Sequence, residues 1–272
     1  MSVDIKLNLI KPSKDLLAAA YVYTVISRAH HYLNQNQEDV LVTFSFINKD
    51  WYNVINNIHS ARNICTKLIV NQKLDFREKK IVSFYKKAIK TESFKVDKIY
   101  SEKLNMYQKS IFPKLKGLLD SIFTTTISKL ELNLCFIYQP LVKNIKGSAL
   151  KTGIIFNVSN NFENEGGFIS LITHELIHVI CNNNSDYIRL FEKVNHSNKF
   201  DETFTSTIEN LCMYSLKLND VKYKYYRYDG RIRDDDACKM EDKIRKVYDS
   251  WEKSKSKDNF VVYLEKNIKK VI

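Results

Sequence analysis

The chain has 272 residues, enough for one or two domains. Its hydrophobic share is 44%, and six glycines and three prolines exclude a loop-rich or repetitive β protein. The net charge of +12 favours anionic partners such as nucleic acid or acidic lipid, but the lysines are spread along the chain, often on helical faces, as on a solvated surface.

Lys14 to Leu33 reads as one helix, with Leu17, Ala20, Tyr21, Thr24 and Val25 at helical spacing. Ser13 is placed to cap it, just after Pro12. Val40 to Val70 is ambiguous. LVTFSFI alternates like a strand, whereas WYNVINNIHSARNICTKLI has helix spacing at Trp51, Ile55, Ile58, Arg62 and Cys65. Phe76 to Ile89 and Glu102 to Ile127 read as further helices, with Pro113 kinking the second or starting a turn in it.

The texture changes near residue 130. LELNLCFIY, from Leu130 to Tyr138, alternates and ends before Pro140, as a strand does. LKTGIIFNV, from Leu150 to Val158, is a second strand rich in β-branched and aromatic residues. The polar loop NNFENEGG follows, then a helix from about Phe168 to Cys181 that stops at Asn182-Asn183-Asn184. SDYIRLFEKV is a short helix with Ser185 as its expected cap, and a longer helix runs from near Asp201 to about Leu218. The C-terminus is helical again, broken at Asp229-Gly230. The fold expected is α+β and mostly helical, with a helical N-terminal region over 1–128 and a second region over 129–272.

The N-terminus lacks a basic region followed by an apolar core, and the apolar run from Leu16 to Ile26 is too short to span a bilayer. Five widely spaced cysteines with no CxxC pair are expected to be reduced, buried thiols of a cytoplasmic protein.

One stretch carries chemistry. ITHELIHVI, from Ile172 to Ile180, holds two of the six histidines, four residues apart, with a glutamate between them. On a helix His174 and His178 project from the same face, so two imidazole nitrogens can share one zinc ion. Glu175 lies on the adjacent edge, within reach of a water beside that ion. Leu171, Ile172, Leu176, Ile177, Val179 and Ile180 make the helix apolar nearly all round, so it is buried. Histidines and a glutamate in such a helix need a partner, because an unpaired buried charge is costly. The plainer reading is a pair of core histidines bonded to backbone groups.

A catalytic zinc ion wants a third protein ligand and an open position. A metzincin would continue HExxHxxGxxH, but its glycine and last histidine places are Cys181 and Asn184 here. His196 is available in the loop VNHSNK. Glu202, in KFDETFTSTIENL, lies 24 residues after His178, about the length needed to leave one helix and return antiparallel. On that second helix Phe204, Ile208, Leu211 and Leu218 suggest a core face, and Glu202, Thr205, Ser206 and Glu209 a polar one.

HELIHVI followed by DETFTSTIE resembles the gluzincin zinc metallopeptidases, the thermolysin-like and aminopeptidase-like clan, over roughly residues 130 to 218. The resemblance implies zinc ligands at His174, His178 and Glu202 and a general base at Glu175. It implies peptide hydrolysis, with Zn2+ as cofactor and a polypeptide as substrate. Thermolysin-like members carry an aspartate four residues after the glutamate ligand, bonded to the first histidine; that place is Ser206 here. Thr205 or Ser206 then substitutes, or Glu209 acts from one turn further on. No aminopeptidase exopeptidase motif precedes the helix, so an endopeptidase is expected.

Gluzincins also place a downstream Tyr or His on the oxyanion. The segment KYKYYRYDG offers Tyr223, Tyr225, Tyr226 and Tyr228, of which Tyr226 or Tyr228 is the choice, with His196 behind them. In the related fold the strand before the zinc helix is a sheet edge above the cleft. Gly153 to Val158 would be that edge, open to an extended peptide, with Ile155 and Phe156 influencing KM. The alternative to a peptidase is a basic nucleic-acid-binding or regulatory protein with a structural or degenerate zinc site.

Overall fold

The structure, a computed structural model, describes residues 5–26, 51–88, 98–123, 130–138, 146–158, 165–218 and 235–272. The LVTFSFI segment, the extension of the first helix to Leu33 and the Asp229-Gly230 turn lie outside the described residues. The fold is α+β and mostly helical, with a four-stranded mixed sheet of order β1-β2-β4-β3. The strands are β1 (Ile5–Leu9), β2 (Leu130–Tyr138), β3 (Lys146–Leu150) and β4 (Gly153–Val158).

Two compact units interleave along the chain. One comprises Leu7–Ser101 and Leu132–Glu163; the other comprises Met1–Lys6, Glu102–Glu131 and Asn164–Ile272. The units therefore do not follow the expected cut between 128 and 129. The strands after that cut group with the N-terminal helices, and the helices just before it group with the HExxH segment.

In the first unit α1 (Lys14–Tyr21) starts where Ser13 Oγ accepts from the Leu16 amide at 3.1 Å. Ala18, Ala19 and Ala20 are fully buried, small enough to let neighbouring backbones approach. The chain continues as a π-helical turn over Val22–Ile26. Next come α2 (Trp51–Asn56), α3 (Ala61–Leu68) and α4 (Phe76–Ala88). So the ambiguous region after Trp51 is helical. A capping box opens α4: Asp75 Oδ1 accepts from the Glu78 amide at 2.8 Å, and Glu78 Oε2 accepts from the Asp75 amide at 3.0 Å.

Strand β2 runs parallel to β4, Cys135 opposite Ile155, and is buried at every position from Leu134 to Ile137. A parallel strand covered on both faces reads as a continuous apolar run. β3 and β4 form a hairpin through Lys151-Thr152, with Ser148 opposite Ile155. At its start a side chain on Gly153 would sit 2.5 Å from both Asn133 O and Ile69 Cδ1, so only glycine fits there.

This topology corrects one expectation. Gly153–Val158 is not a sheet edge, because β2 occupies one side and β3 the other. The KGSAL segment turns back at Lys151-Thr152 and takes the side that would have been free. Ile155 and Phe156 are fully buried, so they are core residues and not groups that meet a substrate.

In the second unit α5 (Lys98–Met106) leads through a π-helical turn, Tyr107–Ile111, into α6 (Phe112–Ile122). Pro113 stands in the first turn of α6, where its missing N–H costs nothing. Then follow α7 (Glu165–Asn183), α8 (Ser185–Lys193), α9 (Asn198–Ser215), α10 (Asp235–Ser254) and α11 (Phe260–Lys266). The core is aromatic. Phe204 has Tyr187 at 4.9 Å, Phe123 and Phe200 at 6.2 Å and Phe260 at 6.3 Å, centroid to centroid. Leu218, expected on the core face, is 44% exposed, because α9 ends at Ser215 before reaching it. All five cysteines are free thiols, four of them buried. No helix among the described residues is long and apolar enough to cross a membrane.

Candidate metal centre

Helix α7 is buried along most of its length, and Thr173, Glu175 and His178 are among its buried polar residues. Helix α9 packs along it. Its start is set by Ser197, whose Oγ accepts from the Phe200 amide at 3.2 Å. That cap places Asp201 and Glu202 in the opening turns of α9, facing the histidine pair of α7.

The two Nε2 atoms of His174 and His178 face each other at 3.2 Å. Glu202 completes the group, with Oε2 3.7 Å from His174 Nε2 and Oε1 3.7 Å from His178 Nε2. Two donors bound about 2.0–2.1 Å from a tetrahedral ion lie about 3.3–3.4 Å apart. The observed spacings bracket that value, so the three residues fit one small cation. Glu202 is the accessible member, with 46% of its side chain exposed against 14% and 10% for the histidines.

The other nitrogen of each ring meets a carboxylate. His174 Nδ1 donates to Glu209 Oε2 at 2.8 Å, and Ser170 Oγ donates to Glu209 Oε1. Asp201 Oδ2 lies 3.0 Å from His178 Nδ1, and Thr205 Oγ1 shares a 3.3 Å hydrogen bond with the same nitrogen. Tyr187 OH donates to Asp201 Oδ1 at 2.6 Å. A proton on His174 Nδ1 leaves that ring's lone pair on Nε2, which faces His178 Nε2 beside a carboxylate. That arrangement demands positive charge. Burial pulls the His174 imidazole down, but its bonds to Glu202 and Glu209 outweigh it and push the ring up to about 10. The same field that would hold a proton on Nε2 would hold a metal ion.

Glu175 is only 7% exposed and makes no hydrogen bond or ion pair among the described residues. Tyr107 OH and Thr173 Oγ1 share a 2.9 Å hydrogen bond, which ties the π-helical turn to the residue directly before His174.

The structure thus brings His174, His178 and Glu202 together, with Glu175 next to His174 on α7. Of the residues weighed for the aspartate's role, Glu209 bonds the first histidine. Thr205 lies against the second, and Ser206 Oγ is buried with no hydrogen-bond partner among the described residues. His196 is elsewhere, in a left-handed turn at φ 53°, its ring edge-on to Phe191 at 5.1 Å. Tyr223, Tyr225, Tyr226 and Tyr228 lie outside the described residues. Sequence reasoning missed Asp201, Ser170 and Tyr187 as partners. Ser170 stands one turn before His174 and Asp201 directly before Glu202, so spacing carried a signal for both. Nothing local marks Tyr187, whose role depends on how α8 folds back onto α9.

No protein-family model, curated protein or solved structure matches the chain.

Proposed function

We propose that the chain is a zinc-dependent metallopeptidase of gluzincin type, acting as an endopeptidase on polypeptides. The observation that supports this best is the pair of Nε2 atoms 3.2 Å apart beside Glu202, next to a buried Glu175 that has no hydrogen bond or ion pair among the described residues. A structural metal site needs no such free carboxylate, whereas a hydrolytic one does.

When bound, zinc supplies Lewis acidity, polarising a carbonyl oxygen and acidifying a nearby water. His174 and His178 would hold the ion through Nε2, and Glu202 would hold it through its carboxylate. Glu209 and Asp201 orient the rings through Nδ1. Glu175 accepts a proton on a carboxylate oxygen as water attacks the peptide carbonyl, then passes it to the leaving amine nitrogen. The buried apolar flanks of α7 keep bulk water from the rings, which strengthens each of these interactions.

The test is metal content and hydrolysis for three proteins. Wild type and Glu175→Gln are expected to hold one zinc ion per chain, and Glu202→Ala to lose it. Wild type is expected to cut casein or a peptide library, and Glu175→Gln to be slower by about 10²–10⁴-fold. A wild type that takes up no supplied zinc, or a Glu175→Gln variant as fast as wild type, overturns the reading.

A further inference from the structure

Behind His178 a chain of polar groups runs through two more helices. Asp201 bridges it: Oδ2 lies 3.0 Å from His178 Nδ1, and Oδ1 accepts from the Tyr187 hydroxyl at 2.6 Å. Asp201 belongs to the first turn of α9 and Tyr187 to the first turn of α8. The Tyr187 ring is 2% exposed and held by Phe204 at 4.9 Å and Phe191 at 6.1 Å. Asn184 caps α8 by accepting from the Tyr187 amide at 2.8 Å, so the backbone of this residue is fixed too. The hydroxyl's position is therefore set by packing and not by a flexible stem. A phenylalanine would fill the same aromatic space. The hydroxyl is what the packing does not need, and it points at Asp201.

We infer that Tyr187 is a positioning residue for the metal centre: its hydroxyl holds Asp201 on His178 Nδ1, so that the Nε2 lone pair faces the ion. Burial, with Cys181 and Asp201 nearby, pushes the Tyr187 phenol far up, and burial together with Asp201 does the same to the Cys181 thiol. Both keep their protons, so the phenol remains a donor to the carboxylate. The orientation of His178 is thus locked from outside its own helix. Of the two carboxylate–histidine pairs, His174–Glu209 is held by Ser170 of α7 itself, whereas His178–Asp201 depends on α8.

The inference rests on the metal reading above, and the experiment separates the two. Zinc affinity is measured by chelator competition for wild type, Tyr187→Phe, Asp201→Asn and the double variant. Visible absorption of the cobalt-substituted proteins is recorded beside it. Tyr187→Phe is expected to bind zinc about tenfold more weakly, and Asp201→Asn about 10–100-fold more weakly. The double variant should be no weaker than Asp201→Asn alone, because both changes act through one chain of bonds. The cobalt bands should shift in each variant, which a merely structural tyrosine would not cause. Wild-type affinity and an unchanged cobalt spectrum in Tyr187→Phe overturn the inference while leaving the metal centre intact. If Tyr187→Phe fails to fold, Asp201→Asn decides: wild-type affinity there overturns it equally. A wild type that binds no zinc overturns both readings.

Discussion

Each histidine of the centre presents one nitrogen inward and has the other committed to a carboxylate. The commitment of His174 to Glu209 is the shorter, at 2.8 Å, and Glu209 is itself anchored by Ser170. Removing that charge while keeping the shape isolates the electrostatic part. Glu209→Gln is expected to weaken zinc binding about 10–100-fold. Equilibrium dialysis against a buffered zinc series measures it, and unchanged affinity would show that His174 is oriented by other means. Ser206, at the place where thermolysin-like enzymes carry an aspartate, contributes nothing comparable. Its hydroxyl is buried and has no hydrogen-bond partner among the described residues. Glutamate reaches further than aspartate, so one more turn of helix delivers the same contact.

Among the elements, α7 supplies the ring pair and α9 the carboxylates, and their relative register decides whether a site exists. That register begins at caps. Ser197 starts α9 three residues before Phe200, and Asn184 starts α8 directly after α7 ends. Ser185 was the expected cap of α8, but Asn184 takes the role because it has the extended backbone, φ −105° and ψ 117°, that a cap needs. Ser197→Ala is expected to cost about 1 kcal/mol of stability. The loss should appear as a lower urea midpoint with an unchanged slope, and an unchanged midpoint would count against the cap. Asp201 and Glu202 follow within the next turns, so the same variant should hold zinc less tightly.

For the whole molecule, the chain passes back and forth between two compact units instead of completing one before the other. The sheet unit depends on one close approach. Asn133 Nδ2 donates to Ile69 O at 2.7 Å, and Gly153 fits beneath both residues. Gly153→Ala puts a methyl group 2.5 Å from a backbone oxygen, and overpacking of this kind costs typically about 1–3 kcal/mol. Thermal and urea unfolding should both shift down; a wild-type midpoint would mean the strand moves aside freely.

Local periodicity and spacing were enough to read several features from the sequence. The expected bounds, Leu130–Tyr138, match β2 residue for residue, because an apolar, β-prone stretch closed by Pro140 is marked in the local sequence, although its second half is buried on both faces instead of alternating. The HExxH spacing brought His174 and His178 together, because four residues make one helical turn whatever surrounds them. Glu202 was legible from chain length, since α8 and two short connections fit the 24-residue interval. Only the tertiary structure decided the rest. Whether Gly153–Val158 was an edge depended on which strands lay beside it, and hydrogen bonds between strands have no local signature. The interleaving of the units, the approach of Asp201 to His178 and the reach of Tyr187 likewise depend on contacts between separate elements. Periodicity says which face of a helix is buried, and packing alone says what it is buried against.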